Sequence, residues 1–232
     1  PMVQGLKRLA YRGYDSSGIA VLTGSELSVW KKEGKIHQLS ESLKGLSIKG
    51  QTGIGHTRWA THGAPNQVNS HPHVYGKKKF AVVHNGIIEN FRTLKKDLIS
   101  KGHIFQSETD SEVIVQLIEF HYEGCFETAI QKTLSQLDGT YAIAAISEED
   151  PDKIIACRKG SPLIIGLGDG ENFISSDINA IVSHTKNIIY MEENELAIVT
   201  QNDIVFKNDS GDILTKESKT IDWSPEASEK GG

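Results

Sequence analysis

The sequence has 232 residues, 38% hydrophobic and 24% charged, with 30 acidic against 25 basic side chains and a formal charge of −5. A chain this long buries roughly 70% of the surface it exposes when unfolded, so its core needs no staples. The acidic balance argues against a general binder of nucleic acid or of a membrane surface, because no net positive field holds polyanions. The longest unbroken apolar run is Tyr141 to Ile146, too short to span a bilayer, and no secretory h-region opens the chain. Two cysteines, Cys125 and Cys157, are too few for a disulfide scaffold. The expectation is a cytoplasmic globular protein.

The first nine residues carry apolar side chains at helical spacing with no cap, and read as the tail of a helix. A catalytic secondary amine at Pro1 is the weaker reading, since an amphipathic helix gives its first residue no enclosed pocket. Val21 to Trp30 reads as a hairpin turning at Gly24-Ser25, and Ile36 to Leu46 as a helix ended by Gly45. Phe80 to His84 is a short buried strand. Phe91, Leu94, Leu98 and Ile99 share one helical face, stopped by Gly102. Thr109-Asp110-Ser111-Glu112 fits a capping box ahead of Val113, Ile114, Leu117 and Ile118. Phe126, Ile130, Leu134 and Leu137 mark a third helix, ending near Gly139. From Thr140 to Phe206 short strands follow one another, with one helix expected near Asp177 to Ser183. Strands interleaved with helices through short turns predict an α+β fold of antiparallel sheets covered by helices.

The chemistry concentrates between Ser42 and Ile88, which holds no Asp or Glu but five of the nine histidines, His56, His62, His71, His73 and His84. Lys44, Lys49, Arg58 and Lys77 to Lys79 add a local positive potential suited to a small anion. Thr57 to Tyr75 has no hydrophobic period and reads as a long loop, a feature that is usually functional. A metal at His71, His73 and His56 or His84 is weighed and disfavoured, because no carboxylate or cysteine lies nearby to ligate it or to orient the rings. Asn85-Gly86 is the strongest short signal for a hairpin turn. The sharper reading is an oxyanion hole, with the Asn85 amide and the Gly86 N–H aimed at a developing negative oxygen. Arg58 is either a surface cation stacked on Trp59 or a fork for a carboxylate. Asp110 complements a helix dipole or holds an ammonium. Cys125 and Cys157 read as inert core residues, and no nucleophile elbow, P-loop or dinucleotide fingerprint appears.

Four motifs, Tyr11-Arg12-Gly13-Tyr14-Asp15-Ser16-Ser17-Gly18, Gly55-His56-Thr57-Arg58-Trp59-Ala60-Thr61-His62-Gly63, Val83-His84-Asn85-Gly86-Ile87-Ile88-Glu89-Asn90 and Ser107-Glu108-Thr109-Asp110-Ser111-Glu112, occur in this order. The chain closely resembles the glutaminase domain of the glutamine–fructose-6-phosphate aminotransferase (isomerizing) family, from Pro1 to Gly232. The resemblance implies an N-terminal-nucleophile hydrolase fold, a four-layer αββα sandwich of two antiparallel sheets. It implies that a first-residue cysteine attacks the side-chain amide of L-glutamine, with its own α-amine as base. It assigns Arg58 to the α-carboxylate, Asp110 to the α-ammonium, and Asn85 and Gly86 to the oxyanion hole. Thr61 and His62 would line the glutamine site with His71 in support, Trp59 would sit on a closing loop, and Arg12 would hold the nucleophile's surroundings. No cofactor and no metal is implied. The nucleophilic cysteine is absent from these residues, which leaves a non-catalytic amino-acid-binding module as the alternative. Residues 1–224 are then the glutaminase domain without its N-terminal strand, and 225–232 the start of a linker to a sugar-isomerase domain in the parent polypeptide. The parent is expected to be a homo-oligomer.

Overall fold

The computed structural model describes residues 1–13, 15–59, 63–76 and 79–222. In chain order, α1 (Met2–Arg8) and a 3-10 turn (Ala10–Arg12) lead into β1 (Ser16–Thr23), β2 (Glu26–Glu33), α2 (Ile36–Ser42) and β3 (Thr52–Arg58). Next come β4 (His73–Tyr75), β5 (Phe80–Ile88) and three helices, α3 (Phe91–Ser100), α4 (Glu112–His121) and α5 (Phe126–Leu134). The second half is β6 (Gly139–Ser147), β7 (Ile154–Lys159), β8 (Ile164–Leu167), β9 (Asn172–Ser175), β10 (Asn187–Tyr190), β11 (Leu196–Val199), β12 (Ile204–Lys207), β13 (Ile213–Leu214) and β14 (Lys219–Thr220). A 3-10 turn, Ile178–Ala180, interrupts it.

The long apolar run sets the layering. Successive side chains of a strand point to opposite faces, and Tyr141 to Ile146 are all buried, so β6 must be covered on both sides. It sits inside a seven-stranded antiparallel sheet in the order β13-β12-β11-β7-β6-β5-β4. Ile143 and Ala145 face α3 to α5, in a cluster with Phe80, Ile114, Ile118 and Phe126. Ala142 and Ala144 face the other way, and their small side chains let a second layer of sheet approach closely. That layer consists of β2-β1-β3 and β14-β10-β8-β9. Its outer face is covered by α1 and α2 through Leu6, Ile19, Val21, Ile36 and Leu39, and by the 3-10 turn through Ala180 and Ile181. The result is the expected αββα sandwich. No helix among the described residues is long and apolar enough to cross a membrane.

The hairpin at Gly24-Ser25 and the amphipathic α3 form as the pattern predicts. Other expectations need correction. The strand expected at Phe80 to His84 continues to Ile88, pairing Asn85 with Ala142 and Gly86 with Tyr141, so Asn85-Gly86 is not a turn. The capping box does not form. Ser111 is the N-cap of α4, and the Glu112 carboxylate instead accepts the backbone N–H groups of Gln106 (2.9 Å) and Ser107 (2.6 Å). Helix α5 stops at Leu134, short of Leu137, and the helix expected near Asp177 shrinks to the 3-10 turn. Thr57 and Arg58 belong to β3 rather than to the long loop, and residues 73–75 to β4. Cys125 is exposed at the start of α5, whereas Cys157 is a core residue.

Candidate active site

One cavity of about 1320 Å³ opens between the two sheet layers, lined by parts of α1, β3, β5, β6 and β9. Arg58, Trp59, His71, Asn85, Gly86 and Asp110 all border it. Thr61 and His62 lie outside the described residues, as does the side chain of Arg12.

Arg58 is the last residue of β3, paired with Ser16 of β1, and by strand alternation it shares a face with Ile54, which packs between the sheets. It is 5% exposed and donates from Nη1 to the Ala64 carbonyl (3.3 Å) and from Nη2 to the Gly63 carbonyl (3.2 Å). Burial lowers its pKa, while the charges of Asp15 and Asp110 oppose that shift. An arginine keeps its proton in such surroundings, so Arg58 is a fixed cation of the site. The reading of Arg58 as a surface cation is overturned.

Asp110 is 4% exposed and immediately precedes the turn into α4. Its Oδ2 accepts the Ile88 N–H at 2.8 Å and its Oδ1 the Ser111 hydroxyl at 3.4 Å, which fixes the carboxylate beside the end of β5. Asn85 and Gly86 are where this otherwise buried strand becomes exposed. Gly86 has φ +131°, and a Cβ there would stand 2.1 Å from the Thr140 carbonyl oxygen, so only glycine fits.

Four of the five clustered histidines are described, and they pack as one group. The His56 and His71 ring centroids are 4.2 Å apart, those of His71 and His73 4.7 Å. Gly18 admits this group, since a Cβ there would meet the His71 carbonyl oxygen at 2.2 Å. His56 Nε2 bonds Asn85 Oδ1 (2.8 Å), His84 Nδ1 the Ser111 hydroxyl (2.8 Å), and His73 Nε2 the Thr109 hydroxyl (3.0 Å). Burial pushes His56 down to about 4 and His71 and His73 well below the ordinary range, so these rings are neutral at physiological pH. No group of three histidine, cysteine or carboxylate side chains among the described residues is arranged to hold a metal ion. His56, weighed in the sequence only as a metal ligand, is the residue whose contact with Asn85 the sequence reading missed. Its signal was its place among the clustered histidines, two residues before Arg58, which on a strand puts both on one face.

A buried guanidinium, a fixed carboxylate and exposed polar backbone on one cavity wall make a receptor for a zwitterion with a further polar group. Trp59, 56% exposed, also borders it. Pro1 is exposed and borders it too.

A sequence profile of the glutamine amidotransferase domain matches residues 31–211. Over its whole length the chain is 46% identical to "Glutamine--fructose-6-phosphate aminotransferase [isomerizing]" of Caldanaerobacter subterraneus and 48% identical to the protein of the same description from Aquifex aeolicus. It spans 38% and 39% of the lengths of these two relatives. Among solved structures, the glutamine phosphoribosylpyrophosphate amidotransferase of B. subtilis superimposes with a TM-score of 0.76 at 28% identity, over 91% of this chain and 46% of that one.

Proposed function

This chain belongs to the glutamine amidotransferase domain family, and from that premise we propose that it is the glutamine-hydrolysing part of a glutamine–fructose-6-phosphate aminotransferase. The observation that carries the reading is the convergence of Arg58, Asp110, Asn85 and Gly86 on one cavity. In this reading Arg58 grips the α-carboxylate of L-glutamine with its fork and Asp110 takes the α-ammonium. The Asn85 amide and the Gly86 N–H receive the oxygen of the side-chain carbonyl as it becomes negative. A neutral His56 donating from Nε2 to Asn85 Oδ1 leaves the Asn85 NH₂ free for that oxygen. His71 packs behind His56, and Trp59 closes over the ligand; the glutamine-contacting roles of Thr61 and His62 and the role of Arg12 near the nucleophile carry over from the family resemblance.

The attacking group is a cysteine thiolate, which neither Cys125 nor Cys157 supplies, since neither borders the cavity. We place it on an extended segment lying between β3 and β9. Among the described residues β3 pairs only with β1 and β9 only with β8, and both open edges border the cavity. The segment's α-amine takes the thiol proton, the thiolate attacks the amide carbon, and the C–N bond breaks as the resulting α-ammonium protonates the departing amide nitrogen, which leaves as ammonia. Water then hydrolyses the thioester to glutamate and restores the thiol. In the whole protein a sugar-isomerase domain uses the ammonia to convert fructose 6-phosphate into glucosamine 6-phosphate. The two free cysteines fit the reducing cytoplasm in which that homo-oligomeric protein would act.

The test is L-glutamine binding and ammonia release, for this chain and for the whole protein. The whole protein should release ammonia and lose that activity on thiol alkylation. This chain should bind L-glutamine and leave it intact. Ammonia release by the 232 residues alone would move the nucleophile to a group within them, and failure of both proteins to bind L-glutamine would sink the reading.

A further inference from the structure

The two charged ends of the receptor lie on separate pieces of chain, Arg58 closing β3 and Asp110 preceding α4. A small hydrogen-bonded ring joins them. Asn69, 1% exposed, donates from Nδ2 to the Ala64 carbonyl oxygen at 3.0 Å, the same oxygen that receives Arg58 Nη1. Its Oδ1 accepts the backbone N–H of Glu108, two residues before Asp110, at 2.9 Å. The Glu108 carboxylate accepts Asn69 Nδ2 at 3.1 Å and the Ala64 N–H at 3.4 Å. Gly63 lies against the pair, for a Cβ there would stand 2.7 Å from Asn69 Nδ2 and 3.0 Å from Glu108 Cβ. Asn69 and Glu108 themselves do not border the cavity.

We propose that Asn69 and Glu108 are positioning residues that couple recognition of the amino acid's carboxylate at Arg58 to recognition of its ammonium at Asp110. The proposal rests on the glutamine reading above. A ligand held at both ends gains only if the two receptors keep a fixed spacing, because the second contact is then made at little further entropic cost. The amide of Asn69 supplies that spacing by bonding both backbones at once. Without it, the segment that carries Gly63 and Ala64 shifts relative to Asp110, and one end is bound at the other's expense.

The coupling has a signature that general destabilisation lacks. NMR titration of the 232-residue chain would compare L-glutamine with glutaramic acid, which lacks the α-amine, and with 4-aminobutanamide, which lacks the α-carboxylate. Glu108→Ala and Asn69→Ala should weaken L-glutamine about tenfold and each single-ended analogue less than about twofold. Glu108→Gln keeps an acceptor oxygen for Asn69 and should bind as the unaltered chain does. Glu108 is exposed, so its variants fold even if Asn69→Ala does not. Equal losses for all three ligands, or undiminished glutamine binding by Glu108→Ala, overturn the coupling alone. Failure of the unaltered chain to bind L-glutamine overturns the coupling, and failure of the whole protein as well overturns the glutamine reading with it.

Discussion

Mild acid should destabilise this protein through its buried histidines. His56, ordinarily near 6.5, is pushed down to about 4, and His71 and His73 are held well below the ordinary value, each mainly by burial. His84 is lowered as well, with Asp110 opposing. The sign follows from proton counting. Between about pH 6.5 and pH 4 the unfolded chain binds protons that the folded chain refuses, so stability is complete above 6.5 and drains away as pH falls. A ring that stays neutral in the fold and titrates near 6.5 when unfolded costs about 1.4 kcal/mol at pH 5.5 and about 2 kcal/mol at pH 5. His56, His71 and His73 together then remove about 4 kcal/mol at pH 5.5 and about 6 kcal/mol at pH 5. A domain's whole stability is about 5–15 kcal/mol, so the loss is large. Urea unfolding at pH 7.5, 6.5, 6.0 and 5.5 measures it, with a slope of about 3 kcal/mol per pH unit expected near pH 6. A stability that stays level within about 1 kcal/mol down to pH 5.5 would refute the reasoning. So would native Cε1–H resonances of His56, His71 and His73 that titrate near pH 6.5.

Three further outcomes follow from the same geometry. Asp110→Asn keeps an acceptor for the Ile88 N–H but loses the charge; L-glutamine affinity should fall about 100-fold while glutaramic acid is held as before, and an equal loss for both would refute the ammonium assignment. Gly86→Ala forces a Cβ onto the Thr140 carbonyl at a left-handed φ; the cost is at least about 3 kcal/mol, seen as a fall of about 6–12 °C in Tm. An unchanged Tm would show that β5 and β6 do not run as described. Cys125 is exposed and its thiol pKa is lowered, chiefly by a hydrogen bond from the Thr128 hydroxyl, whereas burial raises that of Cys157. The native 232-residue chain should therefore react with a thiol reagent once and with a second equivalent only on unfolding, a difference that intact mass reads directly.

The elements that the sequence determined by itself are those whose signal is local. The β1–β2 hairpin needed only its turn residues and two apolar runs, and α3 needed only apolar residues on one face with Gly102 behind them. The run Tyr141 to Ile146 falls in the stretch read as short strands, and once it is a strand its six buried apolar side chains require cover on both faces. The residue types of the receptor were legible as well, because a guanidinium fork and a lone carboxylate carry their chemistry wherever they sit. Tertiary structure decided the rest. Asn85-Gly86 is a turn signal that long-range pairing with Ala142 and Tyr141 overrides, since closing the sheet satisfies more backbone than a two-residue turn does. Glu112 abandons the capping box because the Gln106 and Ser107 N–H groups offer its carboxylate better partners. Whether Arg58, Asp110 and Asn85 share a cavity, and whether Asn69 ties the first two together, depends on the register of β3, β1 and β5 and on how the two sheet layers stack. A periodicity records which face of an element is buried. It carries no information about which other element covers it, and the site lies between elements.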